Sequence, residues 1–430
     1  MNIILVRANN DCLKKEIELN NACLEQQLRK ELRILSTPSS CGFTDIQKAK
    51  DLVDKIELFS PFFIETPQLR GIKQMIGKCD EEENVVLIDG DKYSNMDIFS
   101  WHTALIEKEK GRNPIEVYHY FKYDFQAKFF PRYEMLFFAD MGYDLYVGEK
   151  DKDKRCCRFC GKSGPNIFGD KKNAHAISYF LGNNAIFCLE ECLECNNEFG
   201  KGIEQDLMNY YGYYRAAEGR LSRTSKKPLS AIGMNYEQAG NSLKIFADEP
   251  MEGMPKVGEK IPKEGFLVHL SNKEPVVLHN VYRVLVKYVI ACIPNMYLPE
   301  FRVTIDWVKG KKKPRKGSLP PVYRYEKLDN IEKPSLCVYI RKDDKMDMPY
   351  CVGEIRFMEC LYVFAIPYCK KDVMKEYLDR PLKKFVSQRF PNIDFTVENF
   401  CDYEDKMIIN HVKIEGEPNT ILKPLRDTIK

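Results

Sequence analysis

Residues 157–197 read CRFCGKSGPNIFGDKKNAHAISYFLGNNAIFCLEECLECNN. The stretch holds two CxxC pairs, Cys157/Cys160 and Cys192/Cys195, with His175 between them and Asn196 directly after the second pair. Four thiolates satisfy tetrahedral zinc, and paired thiols at this spacing are a strong metal signal. Residues 161–191 separate the pairs, more than the ~15–20 residues of a simple zinc ribbon. A folded segment that carries the histidine is therefore expected between the two knuckles. A closed shell of four thiolates leaves no position for water, so the expected zinc is structural. Cys156 and Cys188 lie nearby but fall outside the CxxC spacing.

The order of these pieces resembles an HNH (ββα-metal) endonuclease module of the zinc-stapled bacterial type. The matching pieces are Cys157-Arg158-Phe159-Cys160, Asn173-Ala174-His175-Ala176-Ile177-Ser178, Leu181-Gly182-Asn183-Asn184 and Cys192-Leu193-Glu194-Cys195-Asn196. The resemblance implies an α+β, multidomain fold with a central zinc-stapled ββα-metal module flanked by two α+β units. It implies that His175 is the general base for phosphodiester hydrolysis and that Asn196 is a ligand of a catalytic Mg²⁺ or Mn²⁺. Asn183 or Asn184 then takes the middle position, holding the hairpin loop and orienting His175. It also implies DNA as substrate, with RNA an alternative, and a setting in bacterial defence against phage. A neutral imidazole accepts a proton near pH 7, as the base role needs. The bland alternative for His175 is a buried structural histidine.

Two positions depart from the family pattern. Ala174 stands where many such modules carry a metal-binding Asp, and Ser178 stands where Pro is usual. Asn173, Glu191, Glu198 and Glu204 are the candidates to replace the missing ligand. The rival reading is a non-catalytic zinc-knuckle nucleic-acid-binding or adaptor protein on a degenerate HNH scaffold.

Composition bounds the rest. At 430 residues the chain exceeds one ordinary core, so two or three domains are expected. Hydrophobic content of 44% and charged content of 30% are those of a globular protein. The net charge of +3 excludes a global basic field, so a nucleic-acid surface must be local. Its candidates are Lys171, Lys172, Arg215, Lys226 and Lys227 around the module, and Lys311, Lys312 and Lys313 in a basic run further on. A solvated loop is the alternative for that last run. There are 16 Cys, the apolar start is too short for a signal peptide, and no run reaches the ~18 residues of a transmembrane helix. A cytoplasmic protein with reduced thiols and no membrane partner is expected. The sequence carries no signal for an oligomeric state.

Three divisions are read along the chain. Residues 1–150 form an α+β unit, assigned to a regulatory protein or small-molecule trigger. Residues 151–235 form the nuclease-like module, and residues 236–430 an α+β domain in contact with DNA or regulating the module. Within them, Ile3–Val6 and Val85–Ile88 read as strands and residues 11–35 as helix. Another helix is read after Thr44, and Asn95 as the cap of one ending near Lys110. The aromatic run Tyr118–Tyr146 is read as core packing in preference to base stacking. Residues 279–292 read as a helix with Arg283 and Lys287 turned from its apolar face. Arg302–Trp307 reads as a strand. Residues 351–369, 393–400 and 407–414 read as strands, and 371–390 as helix interrupted at Pro381.

Overall fold

The computed structural model describes residues 2–7, 13–16, 26, 28–30, 74–77, 79, 85–109, 111–125, 131–139, 144–169, 173–211, 229–231, 234–239, 242–247, 266–271, 274–313, 319–345, 347–372, 379–391 and 393–414. Helices and several sheets make a multidomain α+β fold. The chain divides into two compact units built from interleaved segments. Unit 1 is Met1–Leu193, Tyr288–Lys312 and Pro320–Glu398; unit 2 is Glu194–Lys287, Lys313–Leu319 and Asn399–Lys430.

Unit 1 opens with β1 (Asn2–Arg7), β2 (Leu13–Glu16) and β3 (Val85–Asp89), an antiparallel sheet in the order β2-β1-β3. β1 and β3 are apolar and buried, as read. β2 corrects the first part of the helix expected over 11–35, while residues 26 and 28–30 are helical as read: LKKE has helical propensity, but its backbone pairs with Asn2–Leu5, and tertiary pairing overrides a weak local preference. The helix read after Thr44 lies outside the described residues. α1 (Asn95–Glu109) follows. Its cap is Ser94 and not Asn95: Asp97 N donates to Ser94 Oγ (3.2 Å), and Ser94 N donates back to Asp97 Oδ2 (3.0 Å). This is a reciprocal capping box. α2 (Pro114–His119) is capped by Asn113. Trp101 of α1 stacks on Tyr118 of α2 at 3.9 Å.

The larger sheet of unit 1 adds β4 (Tyr133–Ala139) to a hairpin of two long strands further along the chain. Ahead of that hairpin come β5 (Leu145–Val147), β6 (Ala174–His175) and β7 (Ile186–Cys188), a small sheet in the order β5-β7-β6. β5 runs parallel to β7, and β6 antiparallel to it.

In unit 2, α3 (Leu193–Lys201) continues from the last residue of unit 1 into α4 (Ile203–Tyr210). A meander follows of β8 (Leu229–Ala231), β9 (Met234–Ala239) and β10 (Ser242–Ala247). β11 (Phe266–Ser271) and β12 (Val276–Val277) lead into α5 (Leu278–Cys292), whose residues from Tyr288 onward belong to unit 1. The expected amphipathic pattern of α5 is corrected. Every residue from Val284 to Ile293 is at most 1% exposed, Lys287 included, and a helix apolar all round belongs inside. The Lys287 ammonium is neutralised by Glu204 (3.1 Å) and lies over the Phe199 ring.

α6 (Arg302–Val308) corrects the strand expected there. Val303, Ile305 and Trp307 alternate, but the buried set is Phe301, Thr304, Ile305, Trp307 and Val308, with Arg302 and Asp306 exposed four apart on the opposite side, which follows the helical period of 3.6. The long hairpin is β13 (Val322–Arg341) and β14 (Cys351–Ala365), with α7 (Asp379–Arg389) beyond it. On its other edge β13 pairs with β4 near one end and with β15 (Thr396–Glu398) near the other. α7 carries Pro381 in its first turn, where a missing N–H costs nothing. Phe385 of α7 packs edge-on against Tyr133 and is tilted against Tyr339. Of the aromatic run, Tyr118, Tyr133, Phe137 and Phe138 are buried and Tyr120, Tyr123 and Tyr146 are exposed.

β16 (Asp405–Lys406) pairs with β12, and β17 (Ile409–Ile414) with β11, closing unit 2. His279 begins α5 there, its N–H donating to Asp402 O (2.8 Å) and its ring lying 4.0 Å from Tyr403. Burial, helped by the Arg283 charge, pushes its pKa down to about 3. Unfolded, this histidine takes a proton near pH ~6.5. Unit 2 should therefore lose stability as pH falls from about 6.5 toward 3, by up to ~1.4 kcal/mol per pH unit. Chemical denaturation across this range checks it: His279→Gln should flatten the slope.

Candidate metal centre and the histidine hairpin

The thiols of Cys157, Cys160, Cys192 and Cys195 lie within 4.8 Å of one another. A tetrahedron with Zn–S bonds of ~2.3 Å has edges of about 3.8 Å, and Cys160 Sγ lies 3.7 Å from Cys192 Sγ. Four close thiols of this geometry could hold a metal ion such as zinc. The first knuckle is shaped by backbone. Cys157 N donates to Lys162 O and Gly161 N to Cys157 O, both at 2.8 Å. Gly161 has φ +75°, a conformation natural to glycine. In the second knuckle Cys192 N points at Cys157 Sγ (3.5 Å), and Cys195 sits in the first turn of α3. Cys156 lies outside the cluster and donates to Gly161 O.

Between the knuckles the chain runs strand, loop, strand and then helix: β6, residues 176–185, β7 and α3. Asn183 holds the loop. It is fully buried; its Nδ2 donates to Ile177 O (2.6 Å) and Ile186 O (3.0 Å), and its Oδ1 accepts from the N–H groups of Ala185 (3.1 Å) and Ile186 (2.9 Å). Asn184 is exposed. Of the two, Asn183 is the one that holds the hairpin loop. Gly182 before it has φ +95°. Ser178 accepts a hydrogen bond from the Tyr288 hydroxyl (2.6 Å).

His175 lies on β6 opposite Phe187, half-buried, with its ring 4.9 Å from Phe187 and 5.6 Å from Tyr179. Ala174 beside it is buried. Asn196 and Asn173 are half-buried, Glu198 is exposed, and Glu191 is buried. Glu204 is engaged by Lys287. Lys171, Lys172, Arg215, Lys226 and Lys227 lie outside the described residues. Lys311 and Lys313 are exposed, Lys311 3.9 Å from Asp306. Lys312 is half-buried over the Tyr368 ring at 4.6 Å.

Sequence reasoning missed Arg158. It sits between the cysteines of the first knuckle with a fully buried side chain. Nη1 donates to the carbonyls of Ile290 (2.9 Å), Ala291 (2.9 Å) and Ile293 (3.1 Å) at the end of α5. Nη2 donates to Glu190 Oε2 (2.6 Å) and Asn295 Oδ1 (3.1 Å). Asn295 Nδ2 donates to the other Glu190 oxygen (2.6 Å). A guanidinium at a helix C-terminus satisfies orphan carbonyls and complements the dipole. Glu190 in turn leaves no room at Gly148: a Cβ there would lie 2.7 Å from Oε2, and φ is +104°. The available signal was a pair of opposite charges, Arg158 inside the first knuckle and Glu190 two residues before the second.

No family model, curated protein or solved structure matches this chain.

Removing one partner of a buried ion pair leaves the other charge unpaired, at about 3–5 kcal/mol. Arg158→Met should destabilise unit 1 by that amount in denaturant unfolding. The double variant Arg158→Met/Glu190→Gln should recover part of the loss, because no lone charge is left inside.

Proposed function

We propose that this chain is a metal-dependent endonuclease of the HNH type that hydrolyses phosphodiester bonds of DNA. The observation that carries the reading is His175. It stands half-exposed on the first strand of a strand–loop–strand–helix segment closed by four thiols, and Asn196 follows Cys195 on the helix. The thiol cluster is read as a structural zinc site, because four sulfur ligands close the shell.

In this reading His175 accepts the proton of the attacking water. Burial of one side of its ring against Phe187 and Tyr179 fixes its orientation. Asn183 keeps the hairpin rigid through its four backbone hydrogen bonds, so it positions His175 without touching substrate. The side-chain oxygen of Asn196 would hold a Mg²⁺ or Mn²⁺ ion, which when bound supplies charge stabilisation at the scissile phosphate. Asn173, Glu191 and Glu198 are the candidates for the ligand that Ala174 cannot provide, Glu204 being engaged by Lys287. Long HNH proteins often belong to bacterial defence against phage, and that setting belongs to this proposal, as does a regulatory role for residues 1–150. Local lysines, among them Lys311 and Lys313, would contact phosphates. The buried Ala174 favours the second reading, a non-catalytic zinc-knuckle nucleic-acid binder.

Incubation of the protein with supercoiled plasmid and Mg²⁺ or Mn²⁺ decides between them. Wild type should nick or linearise the plasmid. His175→Ala should cut about 10²–10⁴-fold more slowly, the usual contribution of a general base. Cutting that survives the substitution would contradict the base assignment. Plasmid binding without cutting under both ions would favour the non-catalytic reading.

A further inference from the structure

The small sheet that carries His175 has two unlike faces. Cross-strand register places Tyr146 beside Phe187 and Phe187 beside His175. Because side chains alternate along a strand, these three share one face. On the other face Ala174, Ile186 and Cys188 are buried. The row is in contact across the sheet: the Tyr146 and Phe187 rings stack at 5.3 Å with 17° between planes, and His175 lies 4.9 Å from Phe187. Tyr179 extends the row beyond His175 at 5.6 Å. Tyr146 is 44% exposed and Tyr179 41%. Inward positions are thus small or aliphatic, and outward positions are aromatic, Tyr146 and His175 carrying polar atoms on either side of Phe187. The Tyr146 hydroxyl reaches Asp144 Oδ2 (3.4 Å).

We infer that this row is a stacking platform for unpaired nucleobases of single-stranded DNA, with His175 in its middle. The inference rests on the endonuclease reading for the role of His175, and it adds the substrate class: strands that are single, frayed or locally melted. Planar rings borne on a sheet face are the established chemistry for holding splayed bases, and stacking tolerates any sequence because every base has a π-face. A partner protein's aliphatic anchor would be met as well by aliphatic residues at the outward positions, and the sheet keeps those for its inner face. A base held on Tyr146 or Tyr179 places its own phosphate on the His175 face of the sheet. Intact duplex keeps its bases stacked on each other and gains nothing from the rings.

The test is anisotropy titration of the full-length, zinc-loaded protein with labelled oligothymidine, without Mg²⁺ or Mn²⁺ so that cutting plays no part. Tyr146→Leu should weaken binding about five- to 150-fold, the range for one lost base–aromatic contact. Tyr146→Phe, which keeps the ring, should bind as wild type. An abasic strand of equal length should bind weakly and equally to all three proteins. Circular dichroism and zinc content of the Leu variant control for folding. Equal binding by the Leu and Phe variants, or wild-type affinity for the abasic strand, would overturn the inference. Tighter binding of oligouridine than oligothymidine would overturn the assignment to DNA. Plasmid cutting combined with Tyr146-independent binding sinks this inference alone. Tyr146-dependent binding by a protein that cuts nothing sinks the hydrolase reading alone.

Discussion

A buried guanidinium ties the first thiol knuckle to the rest of unit 1. Arg158 spends one nitrogen on three carbonyls at the end of α5 and the other on Glu190 and Asn295. Its Nε has no partner among the described residues. Desolvating two charges costs several kcal/mol each, and only near-complete hydrogen bonding offsets that. Here the carboxylate is also satisfied at both oxygens. The pair leaves the knuckle one orientation against the helix end. It also explains why Gly148, ahead of the module, has no side chain.

The thiol cluster and the hairpin depend on that orientation. Small modules with so little core draw folding energy from a bound metal. The cluster closes the module at its two ends, and Asn183 closes it in the middle by satisfying four backbone groups with one amide. What is left outward is the histidine and its aromatic neighbours. The inner positions Ala174, Ile186 and Cys188 of the same sheet are buried, so its accessible side chains lie on one face.

Much of this was legible in the sequence because it is local. Thiol spacing located the cluster, and the apolar runs at 3–6 and 85–88 located β1 and β3. Non-local contacts decided the rest. LKKE became a strand because β1 offered an edge. VTIDWV alternates and yet is helical, because Phe301, Thr304, Ile305, Trp307 and Val308 are buried together. Lys287 reads as solvent-facing until Glu204, far away in sequence, is seen beside it. Asn183 and Asn184 are identical in the sequence and differ only in burial. β13 is charged from Arg324 to Lys333, holds Pro334 and shows no clean period of two, so its pairing with three other strands was hidden.

The most direct measurement is X-ray absorption at the zinc edge of the purified, full-length protein. The account predicts one zinc per chain with four sulfur scatterers at about 2.3 Å and no nitrogen in the shell. His175 is then left outside the shell, as a base must be. A mixed sulfur–nitrogen shell, or fewer than four sulfurs, would place a histidine or water on the metal and contradict both the structural zinc and the role given to His175.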